Sequence, residues 1–384
     1  MYVESVDTDS GRESRLGVRS WVLPRRVNWQ PDSSGVIFAS SQAGGPSVNS
    51  QLWDVSYPQG NARRITNDLN LYVDETITAD GSAIVTVQTA ILANLWVAYT
   101  SEIAHPQGAK QITSGPNLAD GYLGLSWMPD GRILYGYYDR GEARLATISP
   151  DGSKSTDIRF PPGFYDSASA CGDRRTIVFR ADISGTRGIW RADSDGGNLR
   201  NIVRDVAAFA PACSPDAKTV VYTTVKANEP RLWKVPTDGG QPLQLSGDSL
   251  LFPAISPDGR SIAALHAVSP NELQQFAILR ADGGPILATF ELSFGFFFIG
   301  EGGAALRWAP DGGSLVYIVN HNGGSDLWAQ PVHLANASMK ASPKQLISFS
   351  GDPIFTFAWS TKGDQLALAR GRISADAVLI SHFR

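Results

Sequence analysis

The chain has 384 residues, a formal net charge of −4, and 42% hydrophobic and 10% aromatic residues. That composition supplies a core and excludes wholesale disorder. Lys and Arg are scattered, so there is no basic footprint for nucleic acid or for an anionic membrane surface. The 38 Gly and 23 Pro recur at intervals instead of clustering, which marks many turns and no linker.

The opening "MYVESVDTDSGRESR" is polar and acidic, neither a signal peptide nor a membrane span, and residues 1–13 are expected to form a disordered tail. "SRLGVRSWVL" (14–23) reads as a spare strand. From there a phrase repeats: an apolar strand, a turn of the Pro-Asp-Gly type, and a second apolar strand, as in "SWMPDGRILYGYY" (126–138) and "RWAPDGGSLVYIVN" (307–320). Its turn anchors are Asp32, Asp80, Asp130, Asp173, Asp216, Asp258, Asp311 and a degenerate Lys362, spaced 42 to 53 residues apart. Pro presets φ at the second turn position and Asp-Gly supplies the reversal. An aliphatic–Trp strand follows ("QLWDV", "NLWVA", "GIWRA", "RLWKV", "DLWAQ"), and then a short half-polar one. This spacing matches a four-stranded propeller blade.

Tryptophan usage agrees: Trp29, Trp127, Trp308 and Trp359 precede the first turn, and Trp53, Trp96, Trp190, Trp233 and Trp328 sit on the third strand. Rings at fixed places in successive sheets are expected to act as core staples. The last unit shows only "FTFAWS", "QLALAR" and "AVLISHF" before the final Arg384. An unpaired edge there is something native sheets avoid, so residues 14–23 are expected to supply the missing outer strand. The expected fold class is all-β, an eight-bladed propeller with seven blades as the fallback. It forms one domain over 14–384, with blades near 27–68, 72–115, 122–163, 165–206, 209–248, 252–292, 305–349 and 354–384.

The most apolar stretch, "ILATFELSFGFFFIG" (286–300), is too short to cross a bilayer and is interrupted by Glu291. The two cysteines, Cys171 and Cys213, occupy small-residue positions on successive repeat strands and read as buried packing, which leaves the redox compartment undetermined.

"SPDG" before a strand and "DGG" after the next resemble the TolB-like, WD-repeat-like bacterial β-propellers over nearly the whole chain. "ARRITNDLNLY" (62–72), "TADGSAIVTVQ" (78–88), "LWKVPTDGG" (232–240) and "LALARGRISADAVLISHF" (366–383) are similar to the propeller region that follows the membrane span in acidobacterial membrane serine/threonine protein kinases. That resemblance implies an extracytoplasmic sensor or interaction module in a kinase signalling system. The kinase motifs themselves are absent from this chain. Without that link, the lack of a signal peptide points to the cytoplasm.

Catalytic signatures are not found. There is no Gly-x-Ser-x-Gly elbow, the histidines (His105, His266, His321, His333, His382) are isolated, and no Gly pair is followed by the Lys-Ser/Thr of a phosphate loop. The repeated phrase is structural punctuation. Two features could carry function. The links between blades bear Asp68, Asp74, Asp120, Asp166, Asp205, Asp248, Glu301 and Asp352, which a ring would bring to one channel mouth. Such a mouth would suit Ca²⁺, which prefers oxygen ligands, or a basic partner. "LSFGFFFIG" (292–300), with Phe296 and Phe297, would be an apolar partner patch on the same face. The expectation is a non-catalytic, monomeric module that binds a protein or small-molecule ligand. The alternatives are a metal-dependent propeller lyase or lactonase using the channel mouth, and a TolB-like envelope scaffold.

Overall fold

The computed structural model describes residues 2–19, 21–42, 50–68, 70–102, 108–115, 119–139, 142–269, 272–291, 306–321, 324–332 and 342–383. Among them are strands, turns and a single 3₁₀ turn at Thr100–Glu102, with no α-helix. No helix is long and apolar enough to cross a membrane among the described residues.

In chain order the first strands are β1 (Glu4–Val6) and β2 (Glu13–Arg15), paired as a hairpin where the sequence predicts a tail. Next come β3 (Trp21–Trp29), β4 (Gly35–Gln42), β5 (Gln51–Ser56) and β6 (Ala62–Arg64), a four-stranded antiparallel sheet. Then follow β7 (Leu71–Ile77), β8 (Ala83–Tyr99) and β9 (Lys110–Gln111). Five more four-stranded sheets succeed one another. They are β10 (Leu125–Trp127) to β13 (Ser155–Asp157), with β11 (Ile133–Asp139) and β12 (Glu142–Ile148); and β14 (Gly163–Ala170) to β17 (Arg200–Val203), with β15 (Thr176–Ile183) and β16 (Thr186–Asp193). After them come β18 (Ala208–Cys213) to β21 (Leu243–Gln244), with β19 (Thr219–Lys226) and β20 (Glu229–Pro236); and β22 (Leu250–Ile255) to β25 (Ala288–Glu291), with β23 (Ser261–Ser269) and β24 (Glu272–Arg280). The fifth is β26 (Leu306–Trp308) to β29 (Lys344–Ser350), with β27 (Ser314–His321) and β28 (Gly324–Pro331). The chain closes with β30 (Ile354–Trp359) and β31 (Gln365–Ser381).

The turns behave as their chemistry dictates. The backbone amides of Ser82, Arg132, Arg260 and Gly313 donate to the Oδ1 atoms of Asp80, Asp130, Asp258 and Asp311 at 2.8–3.0 Å. Each Asp thus closes its own turn, which is why that residue type recurs there. Around Lys362 the same work falls to Asp364, whose carboxylate accepts from Ser360 Oγ at 2.7 Å.

The chain divides into two compact units, 1–91 with 139–142 and 373–384, and 92–138 with 143–372, where the sequence predicts one domain. The first contains the β3–β6 sheet. Trp21, the one Trp outside the repeat positions, is buried there, edge-on to Phe38 and Trp53 with centroids 4.9 and 5.0 Å away. Residues 14–23 therefore belong to this unit's core, with Leu16 buried beside Trp21, and do not complete the C-terminal sheet. Trp29, expected to be a staple, is half exposed and rests on Tyr57.

The second unit holds six four-stranded sheets. Its sixth is assembled from two distant stretches, in the order β30, residues 365–372 of β31, residues 92–99 of β8, then β9. Thr100 N–H donates to Asp364 O at 2.9 Å, and Gly371 lies against Leu92 and Ala93. Here the predicted eight-blade ring is corrected, for a physical reason. "TVQTAILANLWVAY" contains no Gly or Pro, so the hairpin expected inside it never forms and β8 is one strand of 17 residues. β31 is likewise one strand, Gln365–Ser381, although "ARGRISADAV" within it contains Gly371. The "NLWVA" strand consequently joins the C-terminal sheet instead of a sheet of its own.

Six apolar clusters link these sheets in a closed circuit. Phe179 shares a cluster with Leu134, Tyr222 with Val178, and Ile262 with Val221, while Tyr317 packs on Phe276. Leu366 then meets Val316, and Trp127 meets Ala367 and closes the circle. Each sheet buries both faces against neighbours, so the second strands read as unbroken apolar runs such as "TIVF" and "TVVY".

Candidate functional site: the central channel

The inner strands of the six-sheet unit share a register set by their hairpins. Trp127 pairs with Ile133, Ala170 with Ile177, Cys213 with Val220, Ile255 with Ile262, Trp308 with Leu315 and Trp359 with Leu366. Three residues earlier the chain bulges. Ser167, Ala210 and Phe252 adopt positive φ of 52°, 49° and 57°, and Gly124 stands at the equivalent place. For Phe252 this conformation is costly, and it persists because the bulge is held from both sides. Its amide donates to Thr223 Oγ1 on the preceding sheet at 3.0 Å.

These strands line a cavity of about 480 Å³, within the size range of small-molecule pockets. Its wall is uneven. Three successive sheets present Trp308, Trp359 and Trp127 at the equivalent register, while the other three present Ala170, Cys213 and Ile255. One residue earlier stand Ser126, Ser169, Ala212, Ala254 and Ala358, and in the sixth sheet Arg307. The small ones serve the framework: Ser126 Oγ accepts from Ala170 N–H at 3.0 Å and Ser169 Oγ from Cys213 N–H at 3.3 Å. Arg307 donates to the Leu306 carbonyl at 3.2 Å. Burial pushes its guanidinium down to about 10. The described lining contains no Asp, Glu or His.

Cys171 and Cys213 also line the channel, and they form a disulfide with Cα atoms 5.1 Å apart. The sequence reading of two packing thiols is thus corrected. Cys171 directly follows β14 and Cys213 ends β18, on adjacent sheets that only the ring arrangement brings together, so spacing alone could not reveal the bond.

The predicted acidic ring is distributed otherwise. Asp68 accepts from Tyr72 Oη at 2.6 Å, and Asp74 is exposed at a bulge with φ of 51°. Asp120 is buried, which raises its carboxyl to about 6. Asp166 is buried against Arg180, whose Nε donates to both carboxylate oxygens at 2.8 and 2.9 Å. Asp205 pairs with Lys226 at 2.9 Å. Burial works against its charge, but the Lys226 hydrogen bond holds its carboxyl below the usual value. Asp248 accepts from Ser246 Oγ at 2.5 Å, and Asp352 is exposed. None of these six-sheet-unit acids lines this cavity, and no group of three metal-ligating side chains gathers among the described residues. Glu301, Phe296 and Phe297 lie outside the described residues. The functional candidates that sequence reasoning missed are Arg307 and the channel tryptophans. The signal for Arg307 was available as the one long charged side chain where five sister positions carry Ser or Ala.

No family model matches the chain, and no curated protein matches it in sequence. Solved structures do. A protein from Agrobacterium tumefaciens designated TolB superposes with a TM-score of 0.54 at 18% identity, over 73% of this chain and 98% of that one. TolB from Acinetobacter baumannii gives 0.48 at 14% identity, over 90% and 78%. A gluconolactonase from Xanthomonas campestris gives 0.45 at 13% identity, over 74% and 89%. The fold is a β-propeller with TolB-like neighbours. At these identities the likeness concerns fold alone.

Proposed function

We propose that this propeller is a non-catalytic binding module, a ligand sensor or protein-interaction unit, whose binding surface is the central channel of the six-sheet unit. The observation that carries the reading is the uneven wall. Three Trp and one Arg face a side built from small residues, which gives a cavity one apolar half and one charged point. Pockets with mostly apolar lining and few polar groups are ordinary ligand sites. Ser, Ala, Pro, Trp and a single guanidinium hold no acid–base pair of the kind catalysis uses. The Cys171–Cys213 bond supports an oxidising, extracytoplasmic setting, in keeping with the kinase-associated sensor modules that the sequence resembles.

The test fills the cavity. Ala212→Trp places an indole into the channel, and calorimetry against soluble extracellular metabolites and envelope proteins is compared with the wild type. Binding lost in the variant, with folding retained, is the expected result. Binding that ignores the plug would move the function elsewhere, and chelator-sensitive turnover of a lactone or an oligogalacturonate would replace this reading with an enzymatic one.

A further inference from the structure

We propose that Arg307 is the anion-recognising residue of the channel, and that the ligand is a monocarboxylate with an apolar body that rests on the tryptophan side. The proposal rests on the channel-binding reading and deepens it. Arg307 lies at a register where Ser126, Ser169, Ala212, Ala254 and Ala358 need only small side chains, so packing does not call for a guanidinium there. Its one hydrogen bond among the described residues goes to the carbonyl of its own neighbour, Leu306, and no carboxylate of the described lining faces it. Arg180, another partly enclosed guanidinium, is by contrast satisfied by Asp166. A half-buried cation that lines a cavity without a counterion is a ready partner for an incoming anion.

The charge count selects the anion. One guanidinium, with no Lys or second Arg on the described wall, balances one negative charge. A carboxylate fits, and its two oxygens match the planar fork. A phosphate dianion would leave charge unbalanced in a channel without another cation. The ligand's remaining bulk meets Trp127, Trp308 and Trp359, and an aromatic or branched aliphatic body suits those surfaces.

The carboxylate could belong to a free small acid or to the C-terminus of a peptide, and the probes separate the two. N-acetylphenylalanine and a decapeptide ending in phenylalanine are each titrated beside their amides, with inorganic phosphate as a further arm. Heat and quenching of tryptophan fluorescence are read on the full chain. The expected result is that a carboxylate binds about 10- to 100-fold more tightly than its amide, the range for a hydrogen bond to a charged group. Phosphate should bind more weakly than either acid. Preference for the decapeptide assigns a chain terminus, and preference for the small acid assigns a free ligand.

Arg307→Met should abolish the acid–amide difference while melting near the wild-type temperature, because no carboxylate of the described lining pairs with the guanidinium it removes. Arg307→Lys should retain part of the discrimination. Equal binding of acid and amide, or full discrimination in Arg307→Met, overturns the role of Arg307 and leaves the channel reading standing. If none of the probes binds while other ligands respond to the Ala212→Trp plug, the monocarboxylate class is wrong. If nothing responds to the plug, the channel reading itself fails.

Discussion

Cys171 and Cys213, 42 positions apart in sequence, are bonded across two adjacent sheets of the six-sheet unit. Closing a loop of that length removes denatured-state entropy worth about 4 kcal/mol in the chain-entropy treatment. Reduction with dithiothreitol, or the Cys171→Ala/Cys213→Ala double variant, should therefore lower the denaturant midpoint markedly. An oxidised protein showing two free thiols in a thiol titration would contradict the pairing.

Asp166 and Arg180 give a second prediction. The carboxylate is fully buried, with Arg180 as its main ionic partner and Arg187 as a further nearby cation. Asp166→Ala should lower stability by about 1–3 kcal/mol through the lost charge-assisted hydrogen bonds, measured by urea unfolding. A loss of calcium affinity with unchanged stability would instead return Asp166 to the acidic ring that the sequence suggests.

Glu75 gives the pH dependence. It is buried in the first unit, with Asn28 Nδ2 donating to Oε1 at 3.3 Å and Oε2 left without a partner. Burial raises its carboxyl to about 7 from an ordinary 4.5, with a further push from Asp74. The folded state thus holds the proton more tightly than the unfolded one. The stability linked to the neutral form is complete below about pH 4.5 and is lost as pH rises through 7. Denaturation midpoints between pH 5 and 8 should fall in the wild type more steeply than in Glu75→Gln. Parallel pH profiles would show that Glu75 ionises as an ordinary surface carboxyl.

Gly371 is needed where the ring closes. A Cβ there would stand 1.8 Å from the Leu92 carbonyl oxygen, a backbone atom that cannot swing aside. Gly371→Ala should cost about 1–3 kcal/mol or more from overpacking, and thermal melting would register it. An unchanged melt would mean that residues 92–93 do not lie where the closure requires.

Repeat period, turn chemistry and the all-β class were legible because each is written locally: Asp258 closes its own turn whatever surrounds it. What misled was a pair of absences. Between Gln88 and Leu95 a hairpin was expected from the repeat although no Gly or Pro demanded one, and around Gly371 the turn-forming residues do not reverse the chain, which runs on as two long strands. Which strands those then join is decided by partners hundreds of residues away. The candidate site was half legible. Arg307 broke the pattern of its sister positions, but its setting in a channel, like the nearness of Cys171 to Cys213, exists only once six inner strands face one another.

Hydrogen exchange on the intact chain, followed by mass spectrometry, tests the closure most directly. Amides in 93–97 and 366–370 should be protected to the same degree and should lose protection together in Gly371→Ala. Rapid exchange across 93–97, with residues 14–19 protected in concert with the C-terminal strands instead, would contradict a ring completed by the middle of β8.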